Sequence, residues 1–213
     1  MSKGEATRQR IIAQSAPLFN QHGYSGCSLN DIMEATGLEK GGIYRHFESK
    51  EELAAEAFDF AWATASAFRN YGLGAIADPV DRLKQHIDRF GTRSTIAGGC
   101  PLLNTAVDSD DGNPILRERV FKALRDWQAM LRKIVEEGIA QGTINPHLDP
   151  EAVASHIIGS LEGGMVLSRI ERNDTALRNA RNHLETYLET QVRRVPDSEK
   201  MRSAKLPPRR NRK

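Results

Sequence analysis

Apolar residues recur along this chain at intervals of three and four, the spacing of helix faces, and nowhere alternate as a half-buried strand requires. The first stripe, Ile11, Ile12, Ser15, Ala16 and Phe19, predicts a helix over 5–22 with Gly23 as its stop. Ser28 then caps a short helix with Leu29, Ile32 and Met33 inward, ending at Thr36-Gly37. A third short helix is predicted over 39–46. Ser49 and Glu52 form a capping box that opens a long helix through Leu53, Ala57, Ala61 and Phe68. Asp78-Pro79 starts a helix bearing Leu83, Ile87 and Phe90, and Gly98-Gly99 breaks it. A short helix follows Pro101. Leu116, Val120, Leu124, Trp127, Leu131, Val135 and Ile139 then mark a long one closed by Gly142. Asp149-Pro150 and Asn173-Asp174 open the last two. The pattern predicts an all-α chain of about nine helices: an N-terminal three-helix helix-turn-helix unit over 1–50, a larger helical body over 51–192, and a basic disordered tail over 193–213.

The second and third helices, joined at Thr36-Gly37-Leu38, form the most specific local signal. Gly37 supplies the left-handed conformation that reverses the chain. Ile43 and Phe47, four apart, turn inward with Leu38, which leaves Lys40, Gly41, Tyr44 and Arg45 outward. That face suits DNA. Lys40 and Lys50 supply charge to phosphates, Tyr44 offers its hydroxyl, and Gly41 and Gly42 let backbone approach the duplex. Ser28 and Asn30 stand at a helix N-terminus that favours phosphate, and Asn30 has a second option in an adenine edge. Arg45 reads bases or simply wets the surface. Glu39 is an acid on the same helix.

Composition removes several classes. Net charge is only +2, and residues 1–50 hold six basic and five acidic side chains, so the case for DNA rests on geometry. Residues 193–213 carry nine Lys or Arg against two acids, a tail that attracts phosphate or serves solubility. No run approaches a membrane span and the first ten residues lack a secretory signal, so a cytoplasmic protein is expected. Six scattered histidines and the cysteines Cys27 and Cys100 make no metal pattern, and Asp108, Asp110 and Asp111 read as a solvated turn. No nucleophile or phosphate-loop constellation supports an enzyme, and no cofactor is expected.

Gly23-Tyr24, Ser28, Ile32, Gly37, the string from Lys40 through Gly41, Gly42, Ile43, Tyr44, Arg45 and His46 to Phe47, and Ser49-Lys50-Glu51-Glu52-Leu53 together resemble the TetR family of transcriptional regulators. The resemblance is tight over about the first 55 residues. It implies DNA contacts from Lys40, Gly41, Tyr44, His46 and Lys50, with Ser28 and Asn30 on the preceding helix. Tyr44 and His46 have the alternative of packing the trio. Gly42 departs from the hydroxyl residue common in the family, and Cys27 from a threonine.

A single helix-turn-helix makes few contacts, so two related by a dyad are expected to read a palindromic operator in double-stranded DNA. Val153, Ile157, Leu161 and Gly164, with Leu177, Leu184 and Leu188, form the expected homodimer interface, and Leu161→Glu is expected to yield monomers. The resemblance implies the same two helices, paired as a four-helix bundle. Phe90, Trp127, Met130 and Met165 line a ligand cavity or fill the core. Cys100 is a reactive thiol at a helix start or a small buried residue, and it lies with Asn104 in a stretch similar to one branch of the family. An apolar or aromatic small-molecule effector is expected. The competing reading is a body that only binds protein.

Overall fold

The computed structural model describes residues 2–92, 96–109 and 113–194; Asp110, Asp111 and the tail from 195 onward lie outside the described residues. Among these residues there are nine α-helices and no strands: α1 (Lys3–Gly26), α2 (Leu29–Thr36), α3 (Lys40–Ile43), α4 (Lys50–Asn70), α5 (Pro79–Arg89), α6 (Pro101–Ser109), α7 (Pro114–Gln141), α8 (Pro150–Glu171) and α9 (Thr175–Tyr187). The expected element order holds. None of these helices is long and apolar enough to cross a membrane.

Local chemistry sets most of the boundaries. Gly23 breaks α1 with φ 73°, three residues before its end. Ser28 and Asp31 form a reciprocal capping box on α2, and Gly37 ends it in the left-handed region at φ 65°. Asp78, Asn113 and Asp149 each cap a helix whose first residue is proline. Two details differ from expectation. α3 closes after Ile43, because the chain tightens into turns through His46. Ser49 accepts from the Glu52 amide at 3.1 Å, but Glu52 reaches back to the Glu48 amide at 2.6 Å, one residue before the cap.

The head has its own core of Ile11, Ile12, Cys27, Ile32, Ile43, Phe47 and Leu53. Leu53 belongs to α4, so this helix closes the head and then runs on into the body. Arg8 reinforces the junction: its guanidinium pairs with Glu52 at 3.0 Å and with Glu56, and donates to the His46 carbonyl at 3.3 Å. The body buries a larger cluster from α4 through α9.

Here the expected dimer residues fall elsewhere. Val153, Ile157, Leu161, Gly164, Leu177, Leu184 and Leu188 are all buried within the single chain, where α8 packs on α9 and α7. A Cβ on Gly164 meets Ala180 Cβ at 2.9 Å and Leu177 Cα at 3.1 Å, so its smallness serves contact within the protomer. The stripe is buried, but the periodicity of one chain does not say whether the covering surface is its own. Leu161→Glu places a charge in this core and should destabilise the protomer itself, so loss of dimers in that variant would not identify an interface.

Candidate nucleic-acid interface and the cavity behind it

The head presents Ser28, Asn30, Lys40, Gly41, Tyr44 and Arg45 to solvent, with Gly42, His46 and Lys50 half-buried. Ile43 and Phe47 are 1% and 2% exposed, which fixes the opposite side of the turn outward. Lys40 Nζ lies 5.9 Å from the Tyr44 ring centre and makes no ion pair among the described residues. A Cβ on Gly41 meets nothing within 4 Å. Two of the expected contact groups have partners within the chain. The Ser28 hydroxyl is taken up by the cap, accepting from the Asp31 amide at 3.2 Å and donating to its carboxylate at 2.7 Å. Lys50 Nζ donates to the Tyr24 carbonyl at 2.6 Å and lies 4.4 Å over the Tyr24 ring, tying α4 to the end of α1.

Tyr24 is a joint between units. Its amide donates to Asp108 of α6 at 2.5 Å, and its hydroxyl bonds Glu51. Burial and that carboxylate push the phenol up to about 12, so it stays protonated. Asp108, expected in a solvated turn, is therefore a clamp on the chain after Gly23. Among the described residues there is no cluster of metal-type ligands.

Behind the head, the body holds a cavity of about 400 Å³, open to solvent on one side, at the break between α5 and α6. Phe90, Cys100 and Met165 line it, as expected. Trp127 is one layer back, stacked on Phe90 at 5.8 Å and tilted against Trp62 at 5.6 Å. Met130 is half-buried against the core and does not line the cavity, to which α7 contributes no described residue. Asn104 lines an adjoining cleft. There it directs Nδ2 at the Asn20 carbonyl and side-chain oxygens, both 2.9 Å, and at the Gly98 carbonyl at 2.8 Å.

The polar groups here are unusual for a core. Arg69 is 5% exposed, its guanidinium 4.6 Å over Trp62 and 4.8 Å over Trp127. Cys100 donates to Glu162 at 2.9 Å. Burial raises the Glu162 carboxyl to about 7 and holds the Cys100 thiol far above its ordinary value, so Cys100 stays protonated. Burial raises Cys27 as well. His86 Nε2 accepts from Trp127 at 2.9 Å, which leaves the proton on Nδ1 to donate to Asn70. Burial lowers its pKa to about 3 and keeps it neutral.

Residues 11–57 match the family described as "Bacterial regulatory proteins, tetR family", and residues 79–184 match "Tetracyclin repressor-like, C-terminal domain". The transcriptional repressor DhaR of Mycobacterium sp. (strain GP1) is 30% identical over 171 residues, covering 78% of this chain and 84% of that protein. The chain belongs to the TetR family. Among solved structures, a TetR regulator of Chloroflexus aurantiacus J-10-FL is 47% identical with a TM-score of 0.87, covering 92% of this chain and all of that one. A TetR-family regulator of Cytophaga hutchinsonii is 32% identical with a TM-score of 0.85, covering 90% and 98%. The protein is thus a DNA-binding transcriptional regulator, from a family of regulators and not of enzymes.

The TetR-type body also holds functional candidates that periodicity passed over: Arg69, His86, Glu162, Arg89 and Arg169. Their signal was present. Arg69 continues the stripe of Phe58, Ala61 and Ala65, His86 falls between Leu83 and Phe90, and Glu162 lies four residues after Ile158. A charged or titratable residue inside an apolar stripe marks a buried polar site.

Proposed function

We propose that this regulator is a homodimeric repressor that holds a palindromic operator and releases it when a small molecule occupies the cavity behind Phe90. The observation that carries the dimer is the outer face of α8. Ile170 is 73% exposed and Leu167 52%, with Val166 beside them and Gly159 and Gly163 in open space below. An apolar stripe with small residues four apart allows a second helix to approach closely, and a two-fold copy of the same face satisfies it. This face replaces the buried one expected from periodicity.

The cavity supports the sensing half of the reading over a body that only binds protein, which would need no interior space. Its walls touch the head. Arg169 donates to Asn104 at 2.8 Å, Asn104 bonds Asn20 of α1, and Asn20 donates back to the carbonyls of Ala97 and Gly99. A ligand that moves Gly98, Gly99 or Arg169 therefore acts on the helix that carries the reading head, and only a ligand with different affinity for the two arrangements switches it.

Selection of binding sites from random duplexes tests the operator. A two-fold symmetric site should emerge, with half-sites about one helical turn apart; unsymmetric enrichment, or none, removes the palindrome. Sedimentation of Ile170→Glu tests the interface. The wild type should sediment as a dimer and the variant as a folded monomer.

A further inference from the structure

We propose that the cavity takes a small organic carboxylate with an aromatic or medium-length aliphatic body, and that Arg69 is the charge that fixes it. This rests on the reading of the cavity as the effector site and names the class of molecule it accepts.

Three arginines line the space, Arg69, Arg89 and Arg169, and among the described residues no carboxylate lines it. Among the described residues none of the three has an ion pair. Their partners are neutral acceptors. Arg69 donates to the Ser66 hydroxyl at 3.2 Å, Arg89 to the carbonyls of Arg69 and Tyr71, and Arg169 to the Asn104 side-chain oxygen at 2.8 Å. Arg69 is the decisive one. It is 95% removed from solvent by its 5% exposure, and its Nε, fully buried, has no hydrogen-bond partner. A guanidinium does not shed its proton to escape this, so a buried, under-partnered arginine calls for an anion from outside.

The nearest acid does not fill that role. Glu162 is not a lining residue, and one of its oxygens is occupied by the Cys100 thiol. Burial holds its carboxyl near 7, so at neutral pH it is only partly charged. A cationic ligand is disfavoured for two reasons. It meets three positive charges, and the Phe90 ring that lines the cavity already carries the Arg69 guanidinium 5.6 Å from its centre. The other described side chains of the wall are apolar, with Phe68, Phe90 and Met165, so the ligand needs an apolar body as well as a charge. A volume of about 400 Å³ is the lower part of the range for small-molecule sites.

The test is a calorimetric titration of the full chain with matched probes: 2-naphthoate, 2-naphthamide and 2-naphthylmethylammonium, then octanoate and octanamide. The carboxylates should bind at least about tenfold tighter than the amides, as a charge-assisted pair predicts, and the ammonium should not bind. Arg69→Met should erase the preference and Arg69→Lys keep part of it. Circular dichroism checks that each variant is folded. Should Arg69→Met unfold, Arg169→Gln still tests the claim, by weakening the carboxylates severalfold and leaving the amides unchanged. Amides that bind as tightly as carboxylates overturn the anion class and leave the sensing cavity standing. If no probe binds at millimolar concentration while the same sample binds DNA, both the anion class and the sensing cavity fall, and the DNA-binding reading survives.

Discussion

Asn104 of α6 aims its side-chain amide at both oxygens of Asn20 on α1, each at 2.9 Å, so the body grips the head helix at a residue that is itself 5% exposed. Gly98 completes the grip, because its backbone passes so close that a Cβ there meets the Asn20 carbonyl at 2.7 Å, with φ already at 110°. Buried polar groups that lose their partners keep their desolvation cost, so this contact is a stability element and a lever at once.

Asn104→Ala should therefore cost about 1–3 kcal/mol. The loss should be local, with faster amide hydrogen exchange over residues 17–26 and unchanged exchange in α8 and α9. Uniform acceleration across the chain contradicts a directed grip. Gly98→Ala should cost more, about 3 kcal/mol, because strain at positive φ adds to the clash.

Lys40 and Lys50 should behave differently although both are basic residues of the reading head. Lys40 makes no ion pair among the described residues, so Lys40→Ala should weaken binding to every duplex, lower the salt slope by about one, and leave the melting temperature unchanged. Lys50→Ala also removes the bond to the Tyr24 carbonyl and should cost about 1 kcal/mol of stability. Thermal melts beside DNA titrations at several salt concentrations separate the two. Gly42→Ser should fold normally, since its Cβ meets Leu38 only at 3.6 Å, and should tighten DNA binding by adding a hydroxyl. Loss of affinity in that variant shows that the backbone at Gly42 itself approaches the duplex.

Gly163 and Gly164 are neighbours with opposite surroundings. Gly164→Val pushes α8 from α9, because Ala180 Cβ and Leu177 Cα lie 2.9 and 3.1 Å from the new Cβ, and should lower the melting temperature by several degrees. A Cβ on Gly163 meets nothing within 4 Å in the protomer, so Gly163→Val should leave its folding intact while weakening self-association in sedimentation. Equal effects of the two on melting argue against an interface on the outer face.

His86 should make the body acid-labile. Its folded pKa of about 3 lies below the ordinary 6.5, so its contribution to stability is full above 6.5 and is lost as pH falls toward 3. Glu162 works the other way, since its folded value near 7 exceeds the usual carboxylate range, and its contribution is lost as pH rises through 7. Comparing wild type with His86→Gln cancels the Glu162 part. The stability gap between them should narrow by about 2 kcal/mol from pH 7 to pH 5, measured by denaturant unfolding. A gap that does not change with pH shows that His86 is already charged or that another group sets the lability.

Helix positions were legible along the chain because caps, prolines and apolar spacing act within a few residues of one another. Ser28 with Asp31, Gly37, and Asp78 with Pro79 each determine their boundary locally. The outward face of the reading helix was legible for the same reason, since burying Ile43 and Phe47 leaves Lys40, Tyr44 and Arg45 no other side. What the stripes on α8 and α9 pack against was not legible, because burial within a chain and burial between chains demand the same side chains. Only the fold showed that Leu161 and Leu184 cover each other's helices, and that Ile170 and Leu167 are the ones left bare. The charged wall of the cavity likewise depends on three dimensions. Arg69, Arg89 and Arg169 lie on three helices up to 100 positions apart in sequence, and their shared space exists only once α4, α5 and α8 are brought together.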